Sequence, residues 1–359
     1  MPTTSDWLAS DGGAWDHRLA SPAAAARTAA PRRPAARTAT ISRRRFLATV
    51  AAAPAVLRPR PARGASAVKI GTAVLGDYSM VGPVVVALER GFFTREGLAA
   101  EFVPFRGGPD LLKAVMGGDI LVGITGSTDI LVFREAGSPI KMIATHTEGN
   151  HFTLNVATDV HSVADLRGRA IGVTRVGATT WIFARMLAKK EGWDPDKDVQ
   201  IVGLGGLDAQ LAALARREIA AYVWGDGGAV TELQGKSRVL LRFDAVTGKW
   251  ISQIQYATED AIKNQADPIR KSLRAMFSAL KLMRESPQEA AEVCAKRLGW
   301  TPEAVLRAHR ISGPLLPVDG RIDVAALAVM QATLLEYGVI KKRLPLEEHF
   351  TREFTPVTI

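Results

Sequence analysis

From Val68 onward, short continuous apolar runs alternate with stretches of helical periodicity, and this alternation most limits what the chain can become. "VKIGTAV", "LAAEFVPF", "ILVGIT" and "IKMIATH" read as buried strands. Between them "VGPVVVALERGFF", "PDLLKAVMGG" and "TDILVFREAG" read as helices. Apolar strands joined by helices of this length are the pattern of parallel βαβ units. Gly91, Gly117 and Gly137 fall where such helices should end.

The rhythm breaks at "TEGNH" (147–151) and then restarts. "FTLNVAT", "AIGVT", "VQIVGL", "AAYVW" and "RVLLRF" read as strands, and "ATTWIFARMLAKKEG" and "DAQLAALARREI" as helices. Ser162 with Asp165 forms a capping-box pattern ahead of "VADLRG". A second break is expected near "GKWISQIQYAT". The remainder is mostly helical: Ser286–Pro287–Glu289 and Thr301–Pro302 read as helix starts. The expectation is an α/β chain of two lobes, each a mixed, mostly parallel sheet with helices on both faces. Residues 68–150 and 255–359 would form lobe 1, and 151–254 lobe 2, with the helical tail packed back on lobe 1.

The first 67 residues belong to a different class of sequence. "ISRRRFLATVAAAPAVL" sets three arginines before an apolar run of about a dozen residues, well short of the roughly twenty that span a bilayer. Arg43 and Arg44 sit in an S-R-R-x-F-L pattern similar to a twin-arginine export signal, and "GASA" offers a cut after Ala67. Residues 1–40, rich in Ala, Pro and Arg, read as a disordered extension. This segment holds eleven arginines against three acids, so most of the formal net charge of +10 leaves with it, and about +2 remains. The high isoelectric point is therefore no sign of a nucleic-acid partner. The single cysteine, Cys294, excludes an internal disulfide and a multi-cysteine metal site.

Parallel α/β lobes bind ligands beyond the carboxyl ends of their strands, where helix N-termini present free amides. Four stretches lie there: Asp77, Tyr78 and Ser79; Gly126, Ser127 and Thr128; Gly177, Ala178, Thr179 and Thr180; and Trp224 with Asp226. Small residues let a ligand approach the backbone, hydroxyls and amides can bond it, and Trp224 can stack on it. Trp181, Trp193 and Trp300 read as packing residues. His146 and His151 bracket the first break with no metal-ligand spacing, and read as solvated hinge residues; no metal is expected. His309 reads as structural. No nucleophile elbow, phosphate-binding loop or supported Cys–His pair is present, so the chain is not expected to be an enzyme.

The run "ALERGFFTREGLAAEFVPFRGGPDLLKAVMGGDILVGITGSTDILVFREAGSPIKMIA" resembles the solute-binding proteins of nitrate, sulfonate and taurine ABC importers. "SVADLRGRAIGVTRVGATTWIFARMLAKKEGWDPDKDVQIVGL" and "ESPQEAAEVCAKRLGWTPEAV" extend that resemblance across the chain beyond residue 67. It implies a two-lobed periplasmic-binding-protein fold of type II with a hinged cleft. It also implies a monomer without a cofactor that captures a small polar solute and delivers it to an ABC permease. The arginine signal would carry it to the periplasm through the twin-arginine machinery. Where many relatives show an Asp followed by a Glu-Pro pair this chain has "YVWGDGG", so the solute cannot be carried over. The alternatives are a thiamine-precursor (pyrimidine) binding or synthase-like protein, and a sensory binding lobe. Asp77 and Asp226 either face solvent or meet a solute that joins an anionic end to a nitrogen-bearing one.

Overall fold

The computed structural model describes residues 66–359, and the arginine signal lies outside them. The first sheet contains β1 (Ser66–Thr72), β2 (Leu98–Pro104), β3 (Val122–Gly126), β4 (Ile140–Glu148) and β10 (Ile251–Thr258), in the order β2-β1-β3-β10-β4. The second contains β5 (Thr153–Val156), β6 (Ala170–Val173), β7 (Gln200–Gly203), β8 (Ala221–Trp224) and β9 (Arg238–Arg242), in the order β7-β6-β8-β5-β9. In each, three parallel strands adjoin an antiparallel fourth, and the fifth strand is antiparallel to that one. The two sheets thus share one topology.

Helices α1 (Tyr78–Glu89), α2 (Phe92–Arg95), α3 (Gly108–Met116) and α4 (Thr128–Glu135) connect strands of the first sheet. Helices α5 (Thr179–Lys190), α6 (Leu207–Ala215), α7 (Gly227–Leu233) and α8 (Asp244–Thr247) serve the second. The tail holds α9 (Glu259–Asn264), α10 (Ala266–Glu285), α11 (Pro287–Leu298), α12 (Pro302–Ser312) and α13 (Val324–Glu336). Helices α10 and α11 pack on α1, and α13 packs on α4, so the tail does return to the first lobe. Helix α12 also touches α7 of the second lobe, where Arg307 pairs with Glu232 at 3.1 Å.

Several local expectations need correcting. "ISQIQYAT" is no break: it is β10, seven of whose eight residues are buried, inserted between β3 and β4. The first sheet therefore recruits the chain from Ile251, four residues before the expected boundary. After α3 the left-handed residue is Gly118 (φ +79°), while Gly117 stays helical. Ser286 makes no side-chain cap, and Glu289 instead pairs with Arg90 at 2.9 Å. Thr301 does cap α12, accepting from the Ala304 amide, and the Ser162–Asp165 capping box is present.

His146 and His151 are not solvated; both are buried. The cause at His146 is a proline. Pro83 stands inside α1, so the Ser79 carbonyl one turn earlier loses its helical donor. The His146 Nε2 lies 3.0 Å from that carbonyl and 3.2 Å from the Met80 carbonyl, and supplies the missing N–H. Burial then holds its pKa down at about 4, so the ring stays neutral.

Candidate functional site

The carboxyl ends of both sheets face each other, and the loops beyond them enclose a cavity of about 30 Å³. The first lobe lines it with Asp77, Thr125, Gly126 and Asp129, and the second with Thr174, Ala178, Thr179, Thr180 and Trp224. Of the residues singled out in the sequence, Asp77, Gly126, Ala178, Thr179, Thr180 and Trp224 border the cavity. Tyr78, Ser79, Ser127, Thr128, Gly177 and Asp226 are not among its lining residues.

The reasons lie in local bonding. The Tyr78 ring packs edge-on against His309, with its hydroxyl 3.3 Å from Nδ1. The Ser127 hydroxyl donates to the Ile251 carbonyl, which ties the start of α4 to β10. Gly177 takes φ +80° in the turn ahead of α5. Thr180 accepts from the Thr174 amide at 3.0 Å and so fixes that turn. The Trp224 indole donates to the Gly76 carbonyl across the lobes at 2.6 Å.

Two glycines permit this closeness. A Cβ on Gly126 would lie 2.1 Å from the Thr179 hydroxyl oxygen, and one on Gly225 would lie 1.9 Å from Asp77 Oδ2. Either methyl would force the lobes apart or displace a buried polar group.

Three acids are buried among the described residues: Asp77, Asp129 and Asp226. Asp226, on the second lobe, accepts from the Tyr78 amide at 2.7 Å and the Ser79 amide at 2.8 Å. It therefore occupies the N-terminus of α1, where helix dipole and free amides favour negative charge. Asp77 caps the same helix through the Met80 amide. His151 Nε2 lies 3.1 Å from Asp77 Oδ2, and its Nδ1 lies 2.5 Å from the Ser252 hydroxyl. Ser79 and Gln253 close the network onto Asp77 Oδ1 at 2.9 and 3.2 Å.

Burial would lower the His151 pKa, but the Asp77 carboxylate outweighs it and raises it. Burial likewise opposes ionisation of Asp77, yet His151 holds its pKa below the usual value. Asp226 is pushed up to about 6 by burial and by the Asp77 charge. The ligand atoms of Asp77, His151 and Asp226 lie within 4.8 Å of one another, close enough for a divalent cation. The donor set does not require one, because Asp77 lies against His151 in a contact that favours the protonated ring, and two amides satisfy Asp226.

Asp129 mirrors this arrangement from the first lobe. Its Oδ1 accepts from the Thr179 hydroxyl at 2.8 Å, and its Oδ2 from the Thr125 hydroxyl at 2.5 Å. The Thr179 amide at the start of α5 also favours its ionised form. Thr128 donates to the Thr179 hydroxyl at 2.7 Å, so α4 and α5 meet end to end. Each lobe thus offers a carboxylate to a helix N-terminus of the other. Sequence reading passed over Asp129, because an acid in the first turn of a helix is commonplace. The signal available is its place in "TGSTD", directly after Gly126, Ser127 and Thr128.

The chain belongs to the family described as NMT1/THI5 like, whose model matches residues 79–290. The taurine-binding periplasmic protein of Escherichia coli is 30% identical over 171 residues, covering 47% of this chain and 52% of that one. The structure of the alkanesulfonate-binding protein SsuA from Xanthomonas axonopodis pv. citri aligns with a TM-score of 0.64. It is 20% identical and covers 78% of this chain and 96% of that one. The periplasmic nitrate-binding protein NrtA from Synechocystis PCC 6803 aligns with a TM-score of 0.63 at 14% identity. It covers 79% of this chain and 83% of that one. All three are binding proteins by name, and the two structures share the fold of this chain.

Proposed function

We propose that this protein is the exported solute-binding component of an ABC importer and that it captures a small polar solute between its lobes. The observation that carries the reading is the cavity itself. It is lined from both lobes, at the carboxyl ends of two sheets of like topology. A solute that contacts both walls stabilises the closed form by its differential affinity, and a permease can read that form. Solution scattering tests this. The free protein should have a larger radius of gyration than the closed structure, and solute should compact it. At about a hundred times its dissociation constant, the solute should also stabilise the fold by roughly 2.7 kcal/mol. Tight binding without compaction would contradict hinge closure.

Delivery to the periplasm is part of the proposal and rests on the arginine signal outside the described residues. Ser66 and Ala67, just before the expected cut, form the exposed start of β1, and among the described residues burial begins at Val68. Changing Arg43 and Arg44 together to Lys should hold the precursor in the cytoplasm, because the guanidinium pair is the address. Normal export of that variant would place the chain on another route.

A further inference from the structure

The cavity has an unbalanced charge. Its lining includes two carboxylates, Asp77 and Asp129, and no lysine, arginine or histidine among the described residues. Asp77 has its countercharge behind it in His151. Asp129 has none: its partners are two threonine hydroxyls and an amide, and no cation among the described residues pairs with it. Burial accordingly pushes its carboxyl up to about 6, the expected response of an ion removed from water without a partner.

Two of the helix starts that could take an anion are already occupied. The N-terminus of α1 holds Asp226, and that of α5 faces Asp129. A nitrate or sulfonate entering at α5 would have to displace Asp129 and then lie beside it in a closed cleft, a like-charge contact with nothing to offset it. A cation reverses each of these terms. It would give Asp129 the missing countercharge, and the cavity lining also includes the aromatic residues Phe152 and Trp224, a residue type whose rings attract ammonium groups.

We infer that the solute captured in this cleft is a compact organic cation of the alkylammonium type, bound by the Asp129 carboxylate between the lobes. The inference rests on the solute-capture reading and gives it a substrate class. Asp129 is then the residue that decides specificity, and the threonines around it orient its oxygens.

Calorimetry on the purified protein at pH 7.5 tests this. The probes are ammonium ions of one to six carbons as chlorides, with sodium nitrate and sodium ethanesulfonate as the anions. At least one ammonium ion should bind. Asp129→Asn should weaken it tenfold or more while melting no lower than the parent. An anion that binds while every ammonium ion is silent, with Asp129→Asn leaving its affinity unchanged or tighter, would overturn the substrate class and leave solute capture standing. An ammonium ion bound equally well by Asp129→Asn would remove Asp129 from the site. If neither class binds and the radius of gyration never changes, the capture reading fails, and the inference with it.

Discussion

Asp226 and Asp129 reach across the same interlobe seam in opposite directions, each toward the start of a helix on the other lobe, yet they are not equivalent. Asp226 sits on the hinge side, next to Asp77 and His151, in a cluster that contains its own cation. Asp129 sits on the cleft side among hydroxyls, and no cation among the described residues pairs with it. A buried charge that is paired and fully bonded is a structural clasp; one that is bonded but not neutralised is a place for something to bind. The two ends of the seam therefore have different tasks: one holds the lobes in register, and the other waits for a countercharge.

The largest effect expected from this contrast is at the hinge side. His151→Ala would leave Asp77 and Asp226 buried side by side without a cation. Removing one member of a buried pair typically costs about 3–5 kcal/mol, because the remaining charge stays uncompensated. Urea unfolding at pH 7 should show a loss of that order. A loss below about 1 kcal/mol would mean that the hinge cluster is not charge-balanced by His151, and the distinction between the two ends would collapse.

How much of this was legible in the sequence depends on what kind of information each feature needs. Strand and helix order followed from local periodicity, and the restart after 151 gave two like lobes. The insertion of β10 between β3 and β4 could not be read locally, because its polar members Ser252, Gln253 and Gln255 are buried in the sheet rather than turned to water. The same failure explains the histidines. His146 answers a vacancy created by Pro83, 63 positions earlier in the chain, and His151 answers Asp77, 74 positions earlier. Asp226 was visible as an acid near the cleft, but its orientation toward the α1 amides was not. Of the twelve candidate residues, those bordering the cavity are mostly small residues and threonines at a strand end or a helix start. The residue that gives the cavity its character, Asp129, is the next one after Gly126, Ser127 and Thr128.

A smaller and more discriminating effect separates the two carboxylates by pH. Both have folded pKa values of about 6 against an ordinary value near 3.8. A carboxyl raised by folding binds its proton more tightly in the folded state, so it costs stability increasingly as pH rises from about 4 to about 6, and the cost persists above. At Asp129 an asparagine removes that titration and keeps the bonding, since its amide can donate to one threonine hydroxyl while its oxygen accepts from the other. Asp129→Asn should therefore unfold at higher denaturant than the parent at pH 8, by about 1–3 kcal/mol, and the difference should shrink toward zero at pH 4. At Asp226 the same change removes one of the two oxygens that accept from the Tyr78 and Ser79 amides, so Asp226→Asn should be less stable than the parent at pH 8. His146 and His349, whose pKa values are held down at about 4, lose stability on acidification, but equally in parent and variants, so they cancel in the differences. A gain at 129 with a loss at 226 is the signature of one carboxylate kept for a ligand and one kept for the fold. Matching losses at both positions would make Asp129 a structural cap like its counterpart.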